Sequence, residues 1–348
     1  MKISLDKLST KDTLFLKGLA ICGMLMWHIF WCPNPQGIVY SPLVRYIGSI
    51  GDVCVSIFLF VSGYGLTIGY KKKGERNPIA FIGSRLIKFY SNFWFVFLFI
   101  YLYGRYVMNL PIYTDGSNLH KIYQYGKEFL AIRGQDSYND SWWYFSLIIS
   151  LYLIYPLLYW GVKKVPYIVI FLVLFLGNFS IRFIDQNLQL YLPIFIVGIY
   201  WAMYGRKIPS FEFSKIVFLV IITLSIPLII LMFIYNFNAI CSIGIPLYAM
   251  LTISLTILTI LFQNTSNLIK HIFCYLGTYS TNIYIIHLMF SKYWFSDTFY
   301  GLGSPWIIFI ALLISSLIFS IAIEWIKEKS GYNMIFNKLL IRINNITL

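Results

Sequence analysis

Residues 14–32 read LFLKGLAICGMLMWHIFWC, nineteen residues of which only Lys17 and His28 readily take a charge. At about 1.5 Å per residue a helix over this stretch is about 28 Å long, close to the thickness of a bilayer's hydrocarbon core. The pattern recurs along the chain. Further spans are expected near 45–69, 86–106, 142–160, 166–182, 188–204, 215–235, 239–262, 272–291 and 305–326. Composition agrees: 59% of the 348 residues are hydrophobic, 11% are charged, and the mean hydropathy is +0.73. Soluble domains carry about 25% charged residues, so polar surface is too scarce here to cover a soluble core. The reading is an all-α integral membrane protein of about ten transmembrane helices, residues 1–348 forming a single domain.

Charge gives the orientation. With the N-terminus cytoplasmic and the spans alternating, 20 of the 27 basic residues fall inside. That bias follows the positive-inside rule and sets both termini in the cytoplasm. The net charge of +14 then reflects topology and contact with anionic lipid. Nucleic-acid binding is not expected, because the basic residues form no aromatic-interleaved soluble face. Five scattered cysteines argue against a disulfide framework and against a zinc site. The first span is not expected to be a cleaved signal peptide, since Pro33-Asn34-Pro35 follows where a small-residue cleavage site belongs.

Two connections are long. Segment 70–85, YKKKGERNPIAFIGSR, is cytoplasmic and basic. Segment 107–141 is external, and Leu119, Ile122, Tyr123, Phe129 and Leu130 predict an amphipathic helix lying at the membrane surface. Trp142, Trp143 and Trp294, at span ends, read first as interfacial anchors.

Ionisable residues inside apolar spans are costly and tend to mark chemistry. His28 lies in the first span, Asp52 opens the second, and His287 comes late in the ninth. The topology sets all three in the outer half of the bilayer, where they could converge. Lys17 and His28 are eleven residues apart, three turns plus about 20°, so they share a helix face about 16 Å apart along the axis. A cation at the cytoplasmic edge and an imidazole further in suit a long anionic ligand entering from inside. A bland reading stands beside each: a lone histidine can simply bond a neighbouring carbonyl, and Lys17 can be an ordinary anchor. Arg85 and Lys88 share a face at the start of the third span and could bind phosphates. The Lys71–Lys73 run nearby could equally meet lipid headgroups. Ser62-Gly63-Tyr64-Gly65 reads by itself as a helix-packing stretch.

Taken together and in order, these features resemble the acyltransferase 3 family of integral membrane acyltransferases, over essentially the whole chain. The family's first helix carries a basic residue, ten intervening residues, then His, here KGLAICGMLMWH from Lys17 to His28. The usual residue at the first position is Arg, so Lys17 departs from the pattern. Ile57 to Tyr64 is similar to the FF-hydrophobic-SG-aromatic signature, through Ser62 and Tyr64. Arg85 to Lys88 resembles R-x-x-R, again with Lys for Arg. Trp143, Tyr152 and Pro156 match the fourth helix, and Ser280, Tyr284 and His287 match S-x-x-x-Y-x-x-H. A glutamate pair that many members with an attached esterase-like domain carry before the fourth-helix tyrosine is Ile148-Ile149-Ser150 here. The chain therefore looks like the shorter, stand-alone type.

The resemblance implies transfer of an acyl group, most often acetyl from acetyl-CoA, to a hydroxyl of a cell-surface or lipid-linked polysaccharide in a bacterial cell membrane. Acyl-CoA would be donor substrate, with no bound cofactor and no metal, and the other partners would be the glycan and membrane lipids. Catalytic roles would fall to His28, Asp52 and His287, donor binding to Lys17, Arg85 and Lys88, and substrate contacts to Ser62, Tyr64, Trp143 and Tyr152. The competing class is a glycan exporter, since intramembrane His and Asp also suit proton-coupled transport. Against it, the sequence carries no inverted repeat and no pair of broken helices.

Overall fold

The computed structural model describes residues 8–75, 77–109, 116–132, 138–176, 185–205 and 267–344, and among these every regular element is helical. In chain order they are α1 (Thr10–Met26), a π-helical turn (Trp27–Trp31), α2 (Pro42–Ile50), α3 (Val53–Lys72), α4 (Pro78–Tyr106), α5 (Asn118–Phe129), a 3₁₀ turn (Asp140–Trp142), α6 (Trp143–Lys164), α7 (Pro166–Leu176), α8 (Gln186–Tyr204), α9 (Asn267–Leu288), a second π turn (Met289–Trp294), α10 (Ser296–Tyr300), α11 (Pro305–Lys329) and α12 (Tyr332–Asn344).

Among the described residues, six stretches are long and apolar enough to cross a membrane: Thr10–Trp31, Pro42–Lys72, Pro78–Tyr106, Asp140–Lys164, Gln186–Tyr204 and Pro305–Lys329. They coincide with the expected spans near 14–32, 45–69, 86–106, 142–160, 188–204 and 305–326. The span at 272–291 is α9 and its π turn, a helix dotted with polar side chains. The span at 166–182 is described only as α7, and those at 215–235 and 239–262 lie outside the described residues. The third helix starts eight residues earlier than expected because Asn77 caps it: its side chain accepts from Ile79 N (3.0 Å) and Ala80 N (3.3 Å), and Pro78 sits at the first position.

The helices fall into two compact units. The first holds α1, α2, α3, the second half of α6, α7, α8 and the first half of α9. Its helices meet backbone to backbone. A methyl group on Gly63 would strike the Phe195 carbonyl, and one on Gly198 the Phe60 carbonyl, so α3 and α8 touch at both glycines. Gly18 and Gly277 do the same for α1 and α9, against the carbonyls of Phe273 and Leu14. Small residues allow this approach, and dispersion between the close-packed chains stabilises it. After α3, Glu75 is fixed by Tyr159, whose hydroxyl donates to Oε1 (2.6 Å), and by Lys163 on Oε2. These two donors hold the Glu75 carboxyl below the usual carboxylate range.

The second unit holds α4, α5, the first half of α6, the second half of α9, α10, α11 and α12. Phe93, Phe97 and Phe145 are buried at its centre. Four polar side chains from three helices close a ring. Lys327 Nζ donates to Asn92 Oδ1 (2.5 Å) and Glu324 Oε1 (2.6 Å), Asn92 Nδ2 to Asn282 Oδ1 (2.7 Å), and Asn282 Nδ2 to Glu324 Oε1 (2.7 Å). Lys327 is only 5% exposed.

The helix foreseen in 107–141 exists as α5, and it runs back along α4: Tyr125 packs on Tyr101 (ring centroids 4.9 Å apart), and Phe129 stacks on Trp94 (4.9 Å). One expectation is corrected in this unit. Trp142 and Trp294 are buried rather than interfacial, because aromatic neighbours on α4 surround them: Trp142 lies against Phe93 (5.5 Å) and Phe97 (5.6 Å), and Trp294 against Tyr103 (4.7 Å).

Candidate active site

In the first unit, α-helical geometry carries the alignment of Lys17 with His28 as far as Met26, and the helix then widens into a π turn of which His28 is the second residue. Such turns recur at functional sites, because the extra residue re-aims side chains. Here the widened turn is braced. Trp27 stacks on Trp31 (5.7 Å), Arg45 lies over the Trp31 ring (5.2 Å), and Gly48 of α2 backs onto Phe30. His28 is half-buried.

The break between α2 and α3 comes at Gly51 and Asp52. Gly51 presses on the Gly23 carbonyl, five residues before His28, so Asp52 is set beside α1. The charge of Asp52 also acts on Cys54 and on Tyr191 of α8. His28 and Asp52 thus belong to one neighbourhood of the first unit. Further along α3, Ser62 is half-buried, and the Tyr64 hydroxyl donates to the Leu8 carbonyl (3.2 Å), which ties the start of the chain to α3.

In the second unit, Arg85 and Lys88 differ despite sharing a helix face. Arg85 is half-buried over the Phe81 ring (5.0 Å), whereas Lys88 is exposed. Arg85 acts electrostatically on Tyr152, so these two candidates are brought together. Pro156, four residues after Tyr152, has no N–H to give the Tyr152 carbonyl.

His287 is fully buried, two residues before the second π turn. Its Nδ1 lies 2.8 Å from the Tyr284 carbonyl. A carbonyl only accepts, so Nδ1 carries the proton and Nε2 bears the lone pair of the neutral ring. The turn before it is clamped from the residues just ahead of α6. Asn139 Nδ2 and Trp142 Nε1 both donate to the Ile285 carbonyl (3.3 Å each), and the Tyr284 hydroxyl donates to the Ser141 carbonyl. Trp143, the next residue, is half-buried with its ring 6.4 Å from that of Tyr144.

A family model described as an acyltransferase domain matches residues 14–325. The chain belongs to the acyltransferase 3 family. No curated protein and no solved structure matches it. The acyltransferase 3 match begins three residues before Lys17 and ends after His287, so it takes in every candidate residue named from the sequence. It establishes a membrane acyltransferase, with membrane-crossing helices as that activity requires. Several residues around the candidates had drawn no attention in the sequence. Tyr191, beside Asp52, is one tyrosine among 28, and Asn139 and Ser141 sit in a stretch read as loop. Their one signal was proximity to the Trp143 motif, since a short polar run before an apolar helix often caps or clamps a neighbour.

Proposed function

We propose that the protein transfers an acyl group, acetyl in the first instance, from acyl-CoA to a hydroxyl of a cell-surface or lipid-linked glycan at the cell membrane. The observation that carries the reading is His28, a half-buried imidazole at the widened end of a membrane helix that bears Lys17 three turns earlier. Lys17 meets a phosphate of the donor at the cytoplasmic end, and Arg85 and Lys88 are the further cations that family likeness gives to donor binding. A neutral imidazole can take a proton near pH 7.

In the transfer, the glycan oxygen attacks the thioester carbonyl while His28 accepts its proton. The new C–O bond forms, the C–S bond breaks, and the proton passes from His28 to the departing thiolate. Asp52 orients His28, with Tyr191 beside it. His287, whose Nε2 lone pair is fixed by the bond at Nδ1, accepts a hydrogen bond from the acceptor glycan. Ser62, Tyr64, Trp143 and Tyr152 line the substrates' course in their respective units.

The test is transfer of label from radiolabelled acetyl-CoA to glycan in membranes, for wild type and His28→Ala at equal expression. A general base contributes about 10²- to 10⁴-fold, so the variant should lose at least about 99% of the label rate with membrane insertion unchanged. Normal labelling by His28→Ala would sink the scheme. Absence of label from wild type, with glycan retained inside cells that lack the protein, would replace the acyl transfer to glycan by export.

A further inference from the structure

We propose that α5 is a re-entrant membrane helix whose outward face, Leu119, Ile122 and Tyr123, lies against the hydrocarbon of the lipid bilayer. The charge topology sets this helix in an external loop; the geometry carries it inward. Its partners on α4 descend as its own numbers rise: Tyr125 on Tyr101 and Phe97, Phe129 on Phe97 and Trp94, and the Leu130 carbonyl on the Tyr90 hydroxyl (2.9 Å). Tyr90 is fifteen residues before Arg105, so α5 ends about 22 Å down α4 from that charge. From Phe89 to Gly104, α4 carries no ionisable Asp, Glu, Lys, Arg or His at all. The end of α5 therefore lies beside the apolar stretch by which α4 crosses the bilayer.

The polarity of α5 is inverted relative to a helix on a protein surface in water. Gln124 and Glu128 face inward at 5% and 4% exposure, while Leu119, Ile122 and Tyr123 face outward at 77%, 67% and 61%. Leu98 and Leu102, on the stretch of α4 that α5 runs along, are also exposed, and they belong to a helix long and apolar enough to cross a membrane. One apolar band thus runs over both helices, and lipid chains cover such a band without further contacts.

The end of the helix is closed as a hydrocarbon setting demands. A helix leaves its last carbonyls without internal partners, and no water is available there to take them. Here Leu130 N bonds the Gly126 carbonyl (3.1 Å), Ala131 N that of Glu128 (2.8 Å) and Ile132 N that of Lys127 (2.8 Å), with Ala131 in the left-handed region at φ 54°. Trp94 Nε1 takes the Phe129 carbonyl (2.8 Å), and Tyr90 takes that of Leu130. The cation on the deep turn fits too. Lys127 bends back so that Nζ lies over the Tyr123 ring (4.7 Å), one turn nearer the outer surface.

The test uses the full-length protein in liposomes, its five native cysteines replaced, with a single spin-labelled cysteine at Ile122→Cys or, separately, Tyr123→Cys. Collision with oxygen reports hydrocarbon, and collision with a water-soluble nickel chelate reports water. Leu98→Cys on α4 and Asn118→Cys at the start of α5 are the two standards. Labels at 122 and 123 should match Leu98→Cys, with a high oxygen and low nickel response. A nickel response equal to that of Asn118→Cys would return α5 to water and overturn the proposal. Low response to both reagents would show the face covered by protein, a second copy or a partner, and would overturn it equally.

Discussion

Where α3 meets α8 in the first unit, glycines bring backbone against backbone; where α4, α9 and α11 meet in the second, four polar side chains bridge the gap. Lipid tails are as apolar as leucine, so neither unit gains a hydrophobic driving force for helix association in the membrane. Each solves the problem with different chemistry. Glycine contact fixes separation and leaves no room for error. A hydrogen-bond ring fixes rotation, because each donor must find its acceptor, but it tolerates small changes of distance. The first solution sets Asp52 beside the helix of His28; the second pins Asn282, five residues before His287.

The comparison breaks most sharply at the glycines. Gly277→Leu drives a side chain into the Leu14 carbonyl, and backbone cannot yield as a rotamer can. A loss of about 3 kcal/mol or more is expected, above the usual cost of overpacking, seen as a lowered unfolding midpoint in detergent. Gly65→Ala meets nothing within 4 Å and should leave the midpoint unlowered or slightly raised, which separates contact from composition.

Next comes the ring. Lys327→Met strips Asn92 and Glu324 of their shared donor. Removing one partner of a buried pair costs about 3–5 kcal/mol, but Glu324 keeps 40% of its side chain exposed, so a loss of about 2 kcal/mol is expected. Adding Glu324→Gln should recover part of it, since the half-exposed carboxylate left without its cation is then gone. If the double variant is no better than the single, the ring acts through packing and not through charge.

The smallest effect belongs to the clamp on Glu75. Glu75 and Lys163 are both partly exposed, so Glu75→Gln should cost well under about 1 kcal/mol. Its carboxyl is held below the ordinary range, so the contribution is fully present above about pH 4.3 and disappears as pH falls through the lowered value. Wild type and variant midpoints should therefore converge under strong acid. A gap that persists there would assign the stabilisation to the Tyr159 bond alone.

Much of this was legible in the sequence because of what a bilayer forbids. Apolar runs of membrane length gave six candidate crossing helices among the described residues, His28 and Asp52 stood out as costly exceptions within them, and His287 did so in the more polar α9. The pairings between helices were not legible. Lys327 has the same letter whether it anchors in headgroups or closes a ring with Asn92, and only the approach of α4 decides. The periodicity of α5 gave a two-faced helix but not which face turns inward, because an amphipathic pattern has the same period in water and in lipid. Trp142 and Trp294 read as anchors from position alone, and what buries them comes from α4 and α9, distant in sequence.

The two π turns have a consequence for how the helices can change. A widened turn is a step in the helical phase, equivalent to one extra residue absorbed locally. In α1 the step separates two obligations: Gly23 keeps its contact with Gly51 on one side, while Trp27 and Trp31 stack on the other. A single deletion between Gly23 and Trp31 would restore a plain α-helix and remove the widened turn, leaving the facing of what lies beyond it nearly unchanged. His28 thus sits at a joint in the helix, where the residues after it can be re-indexed without disturbing those before it.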